Sequence, residues 1–277
     1  AAFRAKDHSD IWSASGHDVT VFTGWPNYPT GRLFDGYDMV SLREERIGRV
    51  RVFRSASKIQ PNTSFKKRIE SGISFILGGL KNLGSGSPIG SDYDVVLVTS
   101  GTVFSAWLGV HYAKKHRLPL VVEFRDLTYK QMMATGSKGA KAAAMKALEL
   151  SFCGAADRVV VLTDGFKKDL AAEGISPEMI SVVPNGADVV PCEHQWHRSL
   201  RLGYFGTMGL SQNVPETVEY AKRLAEKGYV SSYELIGEGA ARAEIERMMD
   251  ADKLDFLGLE HGIPMSELEA RYARVDM

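Results

Sequence analysis

Short apolar runs alternate with helical stretches along most of the chain. Residues 94–99 (DVVLVT), 119–123 (PLVVE) and 157–162 (DRVVVL) are almost continuously apolar, as parallel strands covered on both faces are. Helical spacing of apolar residues is found in the segments between and after them, at 103–116, 137–155 and 165–173. Strands that alternate with helices predict an α/β fold with a parallel sheet made of right-handed βαβ units.

The strand–helix pattern stops and then starts again. Residues 189–198 (VVPCEHQWHR) have no clear period and indicate a linker. Before it, further strands are predicted at 17–23, 46–54 and 180–183. Beyond it, strands are predicted at 201–206, 232–236 and 254–258, and helices at 214–227 and 240–249. The restart predicts two Rossmann-like domains, at residues 1–190 and 191–277.

Both ends of the sequence predict incomplete domains. Residues 1–15 have the pattern of the first helix of a Rossmann unit, so we expect the first domain to lack its first strand. An apolar strand begins at residues 275–277, so we expect the second domain to be incomplete.

Composition narrows the class of protein. The 277 residues are 44% hydrophobic and 25% charged, which is the balance of an ordinary folded domain. The formal net charge is zero, so no overall field attracts nucleic acid. Cys153 and Cys192 lie far apart, which argues against a zinc site or a disulfide framework and fits a reducing cytoplasm. No apolar run approaches the roughly 18 residues of a membrane span.

Two glycine-containing loops follow neighbouring strands of the second domain. In open α/β sheets, ligands bind at the carboxyl ends of the strands. Residues 204–209 (YFGTMG) follow the first strand, and residues 237–239 (GEG) repeat the arrangement after the next one, before a helix. Glycines let the backbone approach a phosphate closely, and helix N-termini offer free N–H groups. A tight turn explains either loop alone, whereas the two together predict a diphosphate site. Neither a P-loop nor the dinucleotide G-x-G-x-x-G sequence is present.

Two loops of the first domain carry polar side chains at strand ends. Residues 184–188 (PNGAD) contain Asn185 in an Asn-Gly pair, which is a turn signal by itself. Residues 123–127 (EFRDL) end an apolar strand. An ion pair at the sheet edge explains Arg125, and a role in a substrate cleft requires Asp126 to face the substrate.

A loop rich in proline and glycine follows the first predicted strand. Residues 23–31 (TGWPNYPTG) contain two prolines, two glycines and two aromatic residues. The loop is either a rigid surface turn or a platform on which a sugar ring lies against Trp25 and Tyr28.

Residues 57–81 form a serine-containing basic segment. Phe65, Ile69, Ile73 and Ile76 fall at helical spacing, which predicts an amphipathic helix. Its positive charges are Lys58, Lys66, Lys67, Arg68 and Lys81, against the single acidic Glu70. The helix either packs on the first sheet with a solvated basic face or contacts a membrane surface.

Together these motifs carry a resemblance to a known family. The segments occur in the order TGWPNYPTG, EFRDL, VLTDGFKKDL, VPNGAD, YFGTMG and IGEGAARAEIE. Almost the whole chain resembles the family-4 glycosyltransferases of the two-Rossmann-domain (GT-B) type. The subgroup that it most resembles transfers amino-deoxy sugars such as N-acetylfucosamine during O-antigen or capsule assembly.

The resemblance implies a mechanism and a set of partners. The first domain is expected to hold a glycan or polyprenyl-linked acceptor, and the second a nucleotide-sugar, UDP-linked by expectation. Transfer is expected to retain the anomeric configuration and to need no metal and no cofactor, because the leaving diphosphate takes the acceptor proton. The expected location is the cytoplasm, at the inner face of the membrane, with contact through residues 57–81.

The resemblance also implies site residues. The implied donor site consists of Gly206, Thr207, Met208, Gly209, Gln212, Gly237, Glu238 and Gly239. Asp126 is implied as the catalytic residue. The acceptor side is implied to include Trp25, Asn27, Tyr28, Arg125 and Asn185.

The sequence departs from the family pattern in two places. Many members carry an arginine and a lysine after the first strand of the second domain, whereas residues 209–213 read GLSQN, with Gln212 as the nearest polar substitute. The paired-glutamate motif of the family would lie beyond Met277. The resemblance thus implies an active full-length enzyme and an inactive 277-residue chain.

Two other functions stay open. A sugar-nucleotide epimerase of the same architecture would use acid/base carboxylates and histidines, and would form product without an acceptor. A non-catalytic module would bind a nucleotide-sugar without turnover. An NAD-linked oxidoreductase is disfavoured because the dinucleotide sequence is missing.

Overall fold

The chain folds into two compact α/β units. The computed structural model describes residues 2–27, 31–60, 65–84, 86–134, 136, 139–186, 196–209 and 212–277. The units are Ala1–Gly186 and Ala187–Met277. The predicted boundary at residue 190 lies outside the described residues.

The first unit contains two sheets. One consists of β1 (Thr20–Gly24), β2 (Leu42–Ile47) and β3 (Val50–Ser55), in the order β1-β3-β2. The other consists of β4 (Val96–Ser100), β5 (Leu120–Phe124), β6 (Arg158–Val161) and β7 (Ile180–Val182), in that order and parallel throughout. The helices are α1 (Ala2–Ala14), α2 (Phe65–Asn82), α3 (Val103–His116), α4 (Thr128–Ala134), α5 (Ala140–Ala155) and α6 (Asp164–Ala172).

The four-stranded sheet follows from the apolar runs that predict it. Val122 and Val159 are fully buried beside Phe152 of α5, because helices cover the sheet and leave no polar face on its central strands. Local signals start the helices between the strands. The Thr102 and Thr163 side chains accept the N–H of the third residue of α3 and α6, respectively.

The other sheet of the first unit differs from the prediction. Residues 46–54 are not one strand, because a turn at Gly48, where φ is +60°, splits them between β2 and β3. The two strands pair antiparallel, with Ile47 opposite Val50. The prediction of a first unit with parallel strands only is therefore wrong for β2, whereas β1 and β3 pair in parallel.

The described residues of the second unit form three parallel strands and three helices. The strands β8 (Leu200–Phe205), β9 (Val230–Ile236) and β10 (Leu257–Glu260) form one sheet in the order β10-β9-β8. The helices are α7 (Val214–Glu226), α8 (Arg242–Asp252) and α9 (Met265–Tyr272). Val218 of α7, Leu235 of β9 and Ile245 of α8 are fully buried in one core. The strand predicted at 254–258 lies slightly later in the chain.

The last two residues hydrogen-bond to β8. The Asp276 N–H donates to the Arg201 carbonyl over 2.7 Å, and the Gly203 N–H donates to the Met277 carbonyl over 2.8 Å. Burial alone raises the pKa of the Asp276 carboxyl, but hydrogen bonds from Arg201 and His197 outweigh it and hold the pKa well below its usual range. These contacts tie residues 276 and 277 to the sheet.

Candidate functional site

The two glycine loops of the second unit lie side by side. Residues 206–209 continue from β8 and residues 237–239 from β9, and the two strands are parallel neighbours, with Phe205 opposite Ile236. Both loops therefore lie at the carboxyl edge of the same sheet, as the sequence predicts.

Main-chain hydrogen bonds join the loops to each other. The Gly206 N–H donates to the Ile236 carbonyl over 2.9 Å, and the Met208 N–H donates to the Glu238 carbonyl over 2.8 Å. The Met208 carbonyl in turn accepts the N–H of Ala241 over 2.9 Å. The three bonds thus tie the first loop to the second loop and to the residues on either side of it.

The glycines of the two loops serve different ends. A Cβ on Gly237 would lie 1.8 Å from the Gly206 carbonyl oxygen, and one on Gly239 would lie 2.2 Å from the Met208 carbonyl oxygen. The φ angles of Gly237 and Gly239 are +153° and +157°, which side chains rarely adopt. A Cβ on Gly206, by contrast, would have the Tyr204 hydroxyl as its nearest atom, at 3.9 Å. Gly237 and Gly239 are thus required by loop pairing, whereas the space beside Gly206 is open.

The first loop presents every second N–H group on its outer side. Within the described residues, the N–H groups of Thr207 and Gly209 have no hydrogen-bond partner, whereas those of Gly206 and Met208 face the second loop. Thr207 is exposed and Gly209 half-buried. The Met208 side chain is fully buried in the core of the unit, so its part in the predicted donor site is to hold the loop. Two unpaired N–H groups two residues apart are suited to an anion.

The polar residues of the donor prediction flank these loops. Gln212 is exposed just after the first loop. The exposed Glu238 contacts the Nδ1 atom of His261, and this hydrogen bond is the largest cause that lowers the pKa of the Glu238 carboxyl. Glu238 therefore faces β10, from which His261 follows.

Arg242, which the sequence analysis missed, lies beneath the second loop. Its Nη1 atom donates to the carbonyls of Gly237 and Glu260, each over 2.9 Å, and its Nε atom donates to Glu246 over 3.0 Å. Arg242 is the first residue of α8, where the helix dipole disfavours a positive charge. An arginine at the start of a predicted helix is unfavourable, and this is the sequence signal that could have identified Arg242.

In the first unit, Trp25 is part of the core and does not provide a sugar platform. Its side chain is 2% exposed, its Nε1 atom donates to the Val40 carbonyl over 3.2 Å, and its ring meets Tyr37 edge-on. The predicted stacking role of Trp25 is therefore wrong, because the loop folds over the indole. Asn27 is half-buried and donates to the Trp25 carbonyl, and Tyr28 lies outside the described residues.

The EFRDL segment places three charged groups at the end of β5. Glu123 is buried, and its ion pair is with Arg4 of α1, over 2.9 Å, rather than with Arg125. Thr99 of β4 donates to the other oxygen of the Glu123 carboxylate over 3.0 Å. Arg125 is half-buried, and its Nε atom has no partner among the described residues. Asp126 is exposed and accessible.

Arg4 also fixes the turn that contains Asn185. Its guanidinium donates to the carbonyls of Val183 and Pro184, each over 3.0 Å, and to the Asn185 side-chain oxygen over 3.2 Å. One half-buried arginine thus links β5 to the loop after β7. The sequence analysis missed Arg4.

A buried carboxylate holds the backbone after Asp126. Glu149 of α5 is fully buried and accepts the N–H groups of Thr128 and Tyr129 over 2.9 and 3.1 Å. These are N–H groups of the first turn of α4, which otherwise lack partners. The loop that carries Arg125 and Asp126 is therefore anchored at both ends.

The described residues contain neither a cluster of metal ligands nor a membrane-spanning helix. Among the described residues, no group of three or more His, Cys, Asp or Glu side chains is arranged to hold a metal ion. In the same part of the chain, no helix combines the length and the apolar character needed to cross a membrane.

Comparison with known proteins places the chain in a family. Residues 4–186, about two thirds of the sequence, match the glycosyl transferase 4-like domain. The chain belongs to this family. It is also 24% identical over 255 residues to the putative colanic acid biosynthesis glycosyl transferase WcaI of Escherichia coli (strain K12). The match covers 85% of this chain and 61% of that protein, so the chain spans about three fifths of the length of this relative.

Solved structures share the fold. Sucrose-phosphate synthase from Thermosynechococcus elongatus has a TM-score of 0.68 at 15% identity, and the match covers 99% of this chain and 68% of that one. The catalytic domain of starch synthase IV from Arabidopsis thaliana, solved with ADP and acarbose, has a TM-score of 0.60 at 11% identity, with 94% and 77% covered. These likenesses show that the chain has the α/β fold of GT-B glycosyltransferases.

Proposed function

We propose that this protein is a glycosyltransferase that moves a sugar, such as the amino-deoxy sugar N-acetylfucosamine, from a UDP-linked donor to a glycan or polyprenyl-linked acceptor in surface polysaccharide synthesis. The observation that carries the proposal is the pair of joined loops at the carboxyl edge of β8 and β9. They offer the unpaired N–H groups of Thr207 and Gly209 next to the open space at Gly206. Membership of the glycosyl transferase 4-like family supports the reaction class.

In the proposed reaction, the bond between the anomeric carbon and the donor diphosphate breaks while the acceptor oxygen bonds to that carbon on the same face. The acceptor proton passes to the departing phosphate oxygen, so the configuration is retained and neither a protein nucleophile nor a metal is required. The chain supplies position and charge stabilisation. The N–H groups of Thr207 and Gly209 would face the negative charge that grows on the diphosphate, and Asp126 and Asn185 would orient the acceptor.

Substitution of the two glycines of the first loop tests the donor site. Gly206→Val and Gly209→Val each place a side chain where the diphosphate would approach, and should weaken binding of UDP or GDP by about 1–3 kcal/mol, the scale of one or two charged hydrogen bonds. In the full-length protein, Asp126→Asn should leave nucleotide binding unchanged and lower the rate of transfer. Isothermal titration calorimetry measures the first effect and a sugar-transfer assay the second. If both folded glycine variants bind the nucleotide with unchanged affinity, the loops are only turns and do not form the donor site.

We further propose that α2 touches the inner face of the cytoplasmic membrane. Ile73 was predicted on the apolar face of the helix, but it is 48% exposed, and Leu77, one turn later, is 63% exposed. Leu80 continues this apolar stripe, and the exposed Lys66 and Lys81 lie at its two ends. An apolar stripe between lysines is suited to an anionic lipid surface.

Liposome sedimentation tests the membrane contact. Binding to anionic vesicles should fall steeply as salt rises, because the screening length drops from about 10 Å at 0.1 M to about 3 Å at 1 M. Leu77→Ser should weaken binding, whereas Leu224→Ser, which changes an exposed leucine of α7, should not. Equal binding to neutral vesicles, or none to either kind, would leave α2 as a packing helix.

A further inference from the structure

The first loop of the predicted diphosphate site lacks a positively charged side chain. Residues 206–213 carry no lysine or arginine, so the first loop offers only N–H dipoles to a ligand with several negative charges. At the carboxyl edge of β9 and β10, the structure places two arginines, Arg242 and Arg271. Arg271 is held by the carboxylates of Glu234 and Glu260, which neutralise it.

Arg242 differs from Arg271 in its partners. Among the described residues its one salt-bridge partner is Glu246, which is 53% exposed, so water screens that pair. The charge of Arg242 also acts on the Glu238 carboxylate of the second loop and contributes to lowering its pKa. Two of its three guanidinium nitrogens are used, Nη1 for the carbonyls of Gly237 and Glu260 and Nε for Glu246. The Nη2 atom has no hydrogen-bond partner among the described residues. The guanidinium therefore retains one unused donor group.

The carbonyl contacts of Arg242 set the direction of the second loop. In a trans peptide, the carbonyl and the following N–H point in opposite directions. Because the Gly237 carbonyl points at Arg242, the N–H of Glu238 points away from it, and within the described residues that N–H has no partner. The contact between Arg242 and the Gly237 carbonyl thus leaves the Glu238 N–H as a free donor that points away from Arg242.

We propose that Arg242 is a positioning residue of the donor site, which holds the Gly237 loop in its binding orientation and supplies the positive charge that residues 206–213 lack. The inference rests on the proposed function, because it assumes that the ligand is a nucleoside diphosphate. The guanidinium acts on the diphosphate in two ways, by holding the loop and by its positive charge. It does so at a helix N-terminus, where the helix dipole alone disfavours an arginine.

The test compares two arginines of the same helix. Arg242→Gln and Arg247→Gln remove the same charge from α8, but Arg247 is exposed and its Nε atom bonds only within the helix. Whichever of UDP, GDP and ADP binds the unaltered chain most tightly is titrated into both variants, together with the matching monophosphate. Arg242→Gln should weaken diphosphate binding about ten- to a hundredfold, and Arg247→Gln less than twofold. The loss should be larger for the diphosphate than for the monophosphate, which a general loss of structure would not produce.

Two further results decide the inference. Arg242→Lys keeps the charge but cannot reproduce the planar guanidinium contacts, so it should recover part of the lost affinity. If thermal unfolding shows that Arg242→Gln is not folded, Arg242→Lys replaces it as the test variant. Equal affinity of the Arg242→Gln and unaltered chains would overturn the role of Arg242 and leave the donor site standing. Failure of the unaltered chain to bind any of the three diphosphates at millimolar concentration would overturn the donor site and this inference together.

Discussion

An alanine substitution distinguishes a glycine that the fold requires, Gly237, from one that leaves room for a ligand, Gly206. In Gly237→Ala, the new Cβ would lie 1.8 Å from the Gly206 carbonyl oxygen, on a backbone with φ of +153°. The backbone strain costs about 1–3 kcal/mol. The overlap is relieved only if the loops separate, which breaks the bond from the Gly206 N–H to Ile236, worth about 0.5–1.5 kcal/mol. The second unit should therefore lose roughly 1.5–4.5 kcal/mol of stability.

Gly206→Ala is the matched control on the facing loop. Its Cβ would meet no atom closer than the Tyr204 hydroxyl at 3.9 Å, so the stability should stay within about 0.5 kcal/mol of the unaltered chain. Urea unfolding followed by circular dichroism gives the overall loss, and hydrogen exchange of the β9 amides isolates the second unit. Equal stability of the two variants would refute the reasoning that loop contact dictates Gly237.

Further predictions concern buried charged and titratable groups. Arg4→Ala should cost about 3–5 kcal/mol in urea unfolding because it leaves the buried Glu123 carboxylate unpaired; Glu123→Gln should restore part of this loss, and strictly additive effects would contradict a direct pair. Glu149→Gln turns one acceptor into a donor that faces a backbone N–H, and should lower the free energy of unfolding by about 1–3 kcal/mol. An unchanged unfolding midpoint would contradict this prediction. Burial raises the pKa of the Cys153 thiol to about 12, so Cys153 should resist alkylation at pH 8 in the folded protein. Since this folded-state pKa is raised, the stabilisation from Cys153 is present below about pH 8.5 and should be lost as the pH rises towards 12.

The apolar runs predict the four-stranded sheet of the first unit well. A parallel strand covered by helices on both faces has no polar side, so its sequence is apolar wherever its neighbours lie in the chain. The runs at 94–99, 119–123 and 157–162 accordingly overlap with β4, β5 and β6. The same reasoning places both glycine loops at one edge of the second sheet, since the loops follow neighbouring parallel strands.

The sequence predicts edge strands and aromatic loop residues poorly. The strand β2 (LREERI) is mostly charged, as strands at a sheet edge often are, so a search for apolar runs misses it and merges its end with β3. Trp25 has neighbours typical of a surface loop, and only the return of the chain to Val40 buries its indole. Both errors concern contacts made by residues that are distant in the sequence or at the margin of the sheet.

The two arginines that the sequence analysis missed make the same kinds of contact. Arg4 and Arg242 each donate to two main-chain carbonyls at the ends of parallel strands, and to one carboxylate. Arg242 lies in the first turn of α8, where a positive charge is unfavourable by about 0.3–1 kcal/mol, and these bonds offset that cost. Carbonyl oxygens carry no signature in a sequence, so the acceptors cannot be predicted, but the misplaced charge can. In an α/β unit, where a helix starts at the edge that binds ligands, an arginine in its first turn is well placed to hold the binding loops.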